Sequence, residues 1–201
     1  LQWLNVIEET TATWGMWIGL ALALLSLAVL FDHLGPVSRW KFLYSFRKPL
    51  TSWISRGATI VTVLVALRIV VLLPSISGLD GLPWGEGSVA GNVLRVLVLL
   101  FALSFMAYSG LVISSWNAIA FWNTPLLPAL YVGYSFLGGV AALPIVALIV
   151  EGVEGMEALG ADLWPYLLGL LLGNGLVLML YLYGMSTATL PARESVRRLV
   201  R

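Results

Sequence analysis

The sequence contains no cysteine and a single histidine, His33. Without cysteine there is no disulfide and no thiolate to hold an iron–sulfur cluster. One histidine cannot supply both axial ligands of a bis-histidine haem. No haem, no iron–sulfur cluster and no metal site is therefore expected within this chain. Charge is scarce as well: 10% of residues are charged, against about 25% in soluble domains. The net charge of +1 gives no electrostatic argument for a nucleic-acid partner. No cleavable signal pattern opens the chain. No internal repeat is visible of the kind that secondary transporters are built on. What the chain has instead is apolar surface, with 60% hydrophobic residues and a mean hydropathy of +0.95. At 201 residues that composition fits about five membrane spans and excludes a soluble domain with one anchor.

The apolar runs place transmembrane helices at about 12–31, 57–74, 89–116, 126–150 and 163–184. The expected fold is all-α, a polytopic membrane helix bundle forming a single transmembrane domain over residues 1–201. The nine tryptophans support this reading, because each falls at an expected helix end or in a connection, where aromatic belts lie. The connections alternate in charge. The 32–56 loop carries Asp32, His33, Arg39, Lys41, Arg47, Lys48 and Arg56, and the tail carries Arg193, Arg197, Arg198 and Arg201. The 75–88 and 151–162 connections are acidic, with Asp80 and Glu86 in one and Glu151, Glu154, Glu157 and Asp162 in the other. Five spans put both basic segments on one face. The positive-inside rule would make that face cytoplasmic.

The chain is organised around 104–128, SFMAYSGLVISSWNAIAFWNTPLLP. Ser104, Tyr108 and Ser115 stand four and seven residues apart and so share one narrow helical face. A polar stripe on a membrane helix points at something polar, either a neighbouring helix or a ligand. Trp116, Asn117, Trp122 and Asn123 return the chain to an interface. Pro125 and Pro128 open the next helix, where proline is tolerated. Arg68 and Arg95 are the only strongly basic groups inside the expected spans, and Asn92 shares the face of Arg95. An arginine there pairs, snorkels or lines an ion path. Asp32 and His33 end the first span on the face that Tyr108 approaches. They are candidates for moving protons, or for capping the helix and pairing with Arg39 or Lys41. Gly15 with Gly19, and Gly133 with Gly138 and Gly139, read as close-packing surfaces, and Asn174 as helix-packing glue.

Three elements resemble the NrfD/polysulphide reductase membrane-subunit family. Leu34-Gly35-Pro36 is similar to the element that ends its second helix, though the family usually has an arginine between the glycine and the proline. Ser52-Trp53-Ile54-Ser55-Arg56-Gly57 resembles the element that opens its third. Tyr108-Ser109-Gly110 followed by Trp122-Asn123-Thr124-Pro125 resembles its fourth helix and the turn after it. The likeness runs over about residues 12–190 and matches the family's second to sixth helices. With a start at Leu1 rather than Met, it makes a piece of a larger eight- to ten-helix subunit the expectation.

The resemblance implies a membrane subunit of a respiratory oxidoreductase in a prokaryotic cytoplasmic membrane, not catalytic alone. Such a subunit exchanges electrons between a quinone of the menaquinone or ubiquinone class and a ferredoxin-like iron–sulfur subunit. That partner would dock near the 32–56 loop, with a catalytic subunit beyond it. It further implies that Tyr108 faces the quinone, with Ser104 and Ser115 beside it on the same helical face, and it matches Asp32 to an acidic position of the family, which makes Asp32, with His33 next to it, the proton-transfer candidate. Arg68, Arg95 and Asn92 remain an ion path or structural. The family often docks its partner on this loop from the extracytoplasmic side, against the positive-inside rule, so the orientation is left open. The alternative is a non-redox subunit of the same fold that translocates ions or anchors a complex.

Overall fold

The computed structural model describes residues 9–33, 52–79, 81–85, 87–116 and 118–200. The Leu34-Gly35-Pro36 element, most of the basic 32–56 loop, and Asp80, Glu86 and Asn117 lie outside the described residues. Every regular element among those described is helical: besides a 3₁₀ turn at Leu73–Ser75, they are the α-helices α1 (Glu9–His33), α2 (Trp53–Leu72), α3 (Val89–Ser114), α4 (Leu126–Thr187) and α5 (Leu190–Val200). Four of the five are long and apolar enough to cross a membrane. The α4 helix, at 62 residues, would be about 93 Å long if straight, three times the thickness of a bilayer's hydrocarbon core. It is broken at Gly152, whose φ of 82° and ψ of −164° suit glycine and almost nothing else. The all-helical membrane fold read from the sequence is what the chain adopts.

The chain divides into two compact units, Leu1–Phe105 and Met106–Arg201. In the first, α1 and α2 lie side by side, with the start of α1 against the end of α2. Leu20 of α1 meets Val61, Val65 and Leu72 of α2 in a buried cluster, flanked by Met16, Trp17, Ala23 and Leu27. The α2 helix begins at the motif Ser52-Trp53-Ile54-Ser55-Arg56-Gly57, which has the form of a helix cap. The Ser52 hydroxyl accepts the Ser55 N–H at 3.1 Å, and the Ser52 carbonyl accepts the Arg56 N–H at 3.0 Å. The Arg56 guanidinium lies 4.8 Å over the Trp53 ring.

At the other end of α2, Pro74 lacks the N–H that would bond the Val70 carbonyl. The indole of Trp84 supplies a donor at 2.9 Å. This bond folds the 76–88 connection back beneath α2. That connection then enters α3 through Ser88, whose hydroxyl accepts the Gly91 N–H at 2.9 Å.

In the second unit, the two arms of α4 form an antiparallel hairpin about Gly152. Leu130 in the 126–151 arm packs with Tyr181 and Met185 in the 153–187 arm, and nearer the bend Gly133 faces Asn174. A methyl group at Gly133 would overlap the Asn174 side-chain amide. Asn174 is buried against Gly133 of the other arm, while its amide donates to the Leu170 carbonyl of its own arm at 2.8 Å; it joins the arms by packing rather than by that bond. Among the described residues nothing approaches Gly138 or Gly139.

Three expectations change. The acidic 151–162 segment is helical apart from Gly152, because Glu, Met, Ala and Leu between its glycines are good helix formers. Trp164 consequently sits about three turns inside the second arm, not at its end. The 190–200 tail is helical as well, and its Ala192 and Val196 pack into the cluster of Leu130, Tyr181 and Met185.

Candidate functional site

The 115–125 turn joins α3 to α4. Thr124 is buried, and its hydroxyl accepts the Leu126 N–H at 3.3 Å, starting α4. Pro125 takes the cap position with φ −70°. From across the hairpin, the buried Tyr181 hydroxyl donates to the Phe121 carbonyl at 2.6 Å. Their rings meet edge to face, 5.1 Å apart. Gly110 of α3 is pressed on the first turn of α4: a methyl group there would lie 2.5 Å from Pro128 Cα. These contacts fix the turn against both of its neighbours.

Beside this turn is an open cavity of about 550 Å³. Ile113, Phe121, Trp122, Leu127, Leu130 and Leu178 give it apolar walls, and Tyr131, Tyr134, Ser135 and Tyr181 add hydroxyl groups. Its volume is in the range of small-molecule sites. Tyr181 and Ser135 use their hydroxyls on the Phe121 and Tyr131 carbonyls. Among the described residues, the Tyr131 and Tyr134 hydroxyls have no hydrogen-bond partner. They stand one turn apart on the same side of α4. Flat aromatic walls with two uncommitted donors suit a planar apolar ring that carries hydrogen-bond acceptors.

The residues picked from the sequence are distributed differently. Ser104 and Ser115 turn their hydroxyls onto their own chain, at 2.8 Å to the Leu100 carbonyl and 2.7 Å to that of Val112. Tyr108 is half-buried on α3. None of the three lines the cavity, to which α3 contributes Ile113. Asp32 and His33 fall in the last turn of α1, and their side chains lie outside the described residues. Arg68 reaches from α2 to the Met16 carbonyl of α1 at 3.5 Å and lies beside Gly19. This is an interhelical contact that the small residue leaves room for. Arg95 is half-buried and Asn92 exposed, one turn apart near the start of α3.

A family model described as polysulphide reductase, NrfD, matches residues 5–201. The chain belongs to the NrfD family. Comparison with curated proteins and with solved structures gives no match. NrfD proteins are membrane subunits of quinone-linked oxidoreductase complexes, interact with quinone in general and pair with iron–sulfur subunits.

Membership gives the motifs a second meaning beside their structural one. In Tyr108-Ser109-Gly110 the glycine is the contact that seats α4. In Trp122-Asn123-Thr124-Pro125 the threonine and proline start α4, and the tryptophan is a cavity wall. A quinone has a flat ring with two carbonyl oxygens, and the Trp122 cavity fits such a group in its aromatic lining and its donors. Tyr131, Tyr134 and Ser135 escaped the sequence reading, although their spacing of three and four residues is the same kind of polar stripe as Ser104, Tyr108 and Ser115.

Proposed function

We propose that this chain is the quinone-interacting subunit of a respiratory oxidoreductase complex in a prokaryotic cytoplasmic membrane. It exchanges electrons between quinone or quinol and a ferredoxin-like iron–sulfur subunit docked near the 32–56 loop, and forms part of a larger eight- to ten-helix subunit that is not catalytic alone. The observation that carries the proposal is the NrfD match over residues 5–201. The aromatic cavity beside Trp122 supports it. Bound quinone supplies two-electron, two-proton redox chemistry. The chain's own residues bind and orient the ring. Phe121 and Trp122 wall it, and Tyr131 and Tyr134 offer phenolic O–H donors. Tyr108 is the donor proposed from the family motif, on α3. Asp32 and His33 are the proposed proton carriers toward the face they end on. The Arg68 contact to Met16 favours a structural role for that arginine, and Arg95 with Asn92 keeps the proposed ion path.

Phenylalanine at Tyr108, and separately at both Tyr131 and Tyr134, tests this reading in the assembled complex. Removing one hydroxyl changes little volume, so assembly survives. It removes a hydrogen bond of roughly 0.5–1.5 kcal/mol, more where charge develops on the acceptor. Quinone-linked turnover then falls about threefold to a hundredfold, while reduction of the iron–sulfur subunit by artificial donors is unchanged. Quenching of tryptophan emission by added quinone reports binding without turnover. If every variant binds quinone and turns over at the wild-type rate, none of these tyrosines is the quinone's donor; if the wild type itself neither binds quinone nor passes electrons to it, the subunit anchors a complex or moves ions.

A further inference from the structure

The α5 helix has its two sides committed differently. Ala192 is fully buried in the cluster of Leu130, Tyr181 and Met185, against which Val196 also packs. The Ala192 and Val196 side of the helix is therefore occupied by the protein. The other side carries Arg193, Arg197 and Arg198, all exposed, against the single acid Glu194. Arg197 and Glu194 form an exposed pair at 3.7 Å, and such pairs hold their partners weakly. Arg193 donates Nε–H to the Ser186 carbonyl at 3.0 Å. That bond aims the guanidinium back along the end of α4 and leaves its terminal nitrogens free of it.

Two observations fix the depth of this basic side. Only Ala188 and Thr189 separate α5 from the apolar α4, so α5 starts within about 10 Å of that helix's end. The cluster that buries Ala192 also receives Ala120 and Phe121 of the turn that carries Trp116 and Trp122. Tryptophans in such a turn belong at headgroup level. Three arginines held at that level face the layer in which lipid phosphates lie.

We propose that the Arg193–Arg197–Arg198 side of α5 binds the phosphate groups of anionic phospholipids at the membrane boundary. Planar guanidinium groups match phosphate oxygens with paired donors. The occupant is a lipid of the surrounding leaflet, because the helix cannot leave that layer while Ala192 and Val196 remain docked.

The test exchanges purified protein into nanodiscs of phosphatidylcholine mixed with a minority of phosphatidylglycerol. Lipids retained after detergent extraction are then counted by native mass spectrometry. The wild type retains phosphatidylglycerol about tenfold over its share of the mixture. R193Q/R197Q/R198Q abolishes the preference, and the corresponding triple lysine variant keeps most of it. R197Q/R198Q leaves the Ser186 bond in place and still loses most of the preference, which separates lost binding from a displaced helix. Equal retention of both lipids by the wild type overturns the proposal, as does a preference that survives the triple glutamine change. So does a triple glutamine variant that sheds a protein subunit while its lipid retention is unchanged, since the face would then dock an acidic protein.

Discussion

Replacing Tyr181 by phenylalanine removes one oxygen from the contact that holds the 115–125 turn to the α4 hairpin. The phenol O–H reaches the Phe121 carbonyl at 2.6 Å from a side chain only 4% exposed. Phenylalanine keeps the ring, its edge-to-face contact with Phe121 and its place among Leu130, Met185 and Ala192. The change therefore reads the hydrogen bond with little cavity term. A buried carbonyl left without its donor costs about 1–3 kcal/mol. Hydrogen bonds between helices in membranes average nearer 0.6 kcal/mol, because the unfolded helices find other partners. The Phe121 carbonyl lies in a turn with no helical partner to fall back on, so the expected loss is about 1–2 kcal/mol, on the order of a tenfold shift in the unfolding equilibrium. Reversible unfolding in mixed micelles with rising SDS measures it. Tyr183→Phe is the control, because Tyr183 is 70% exposed, and should change stability by less than about 0.5 kcal/mol. Tyr181 also lines the cavity beside Trp122, so the same variant should weaken quinone quenching of tryptophan emission. If Tyr181→Phe unfolds at the same SDS fraction as the wild type, the bond does not hold the turn and the cavity owes its shape to apolar packing alone.

Trp84→Phe should destabilise the first unit by about 0.5–1.5 kcal/mol, since it removes the indole bond to the Val70 carbonyl, which keeps its bond from the Leu73 N–H. SDS unfolding followed through the remaining tryptophans checks it. Gly152→Ala should cost about 1–3 kcal/mol, because the break in α4 holds a backbone conformation that alanine avoids. Gly138→Ala, in open space within the same helix, should be neutral or slightly stabilising in the same assay.

Sequence alone was enough for the membrane class and the helical fold. Twenty-residue apolar runs have few solutions in a bilayer, where backbone polar groups must be satisfied within the segment. It also located the helix start at Pro125, where proline chemistry is local, whereas the second span, expected from 57, starts four residues earlier at Trp53 behind the Ser52 cap. The glycines of 151–162 disguised a helix. Gly155 and Gly160 weaken a helix without ending it, and only Gly152, which resembles them in sequence, takes up the break. The 190–200 tail was read as charge alone, because its apolar residues acquire meaning only from the cluster that receives Ala192 and Val196.

The candidate site divides along the same line. Tyr108 was visible as part of a motif. A motif carries no information about which hydroxyls are already spent, and Ser104 and Ser115 are spent on carbonyls of their own helical turns. Tyr131 and Tyr134 became candidates only once the hairpin about Gly152 brought Leu178 and Tyr181 opposite them and the 115–125 turn set Trp122 alongside. A cavity is a property of surfaces that meet from distant parts of the chain. Here those parts are α3, the turn and both arms of α4, which no local pattern places together. What the sequence determined is what neighbouring residues decide among themselves: solvent, helix and cap. The tertiary structure decided which polar groups were left over, because that depends on which distant carbonyl each hydroxyl can reach.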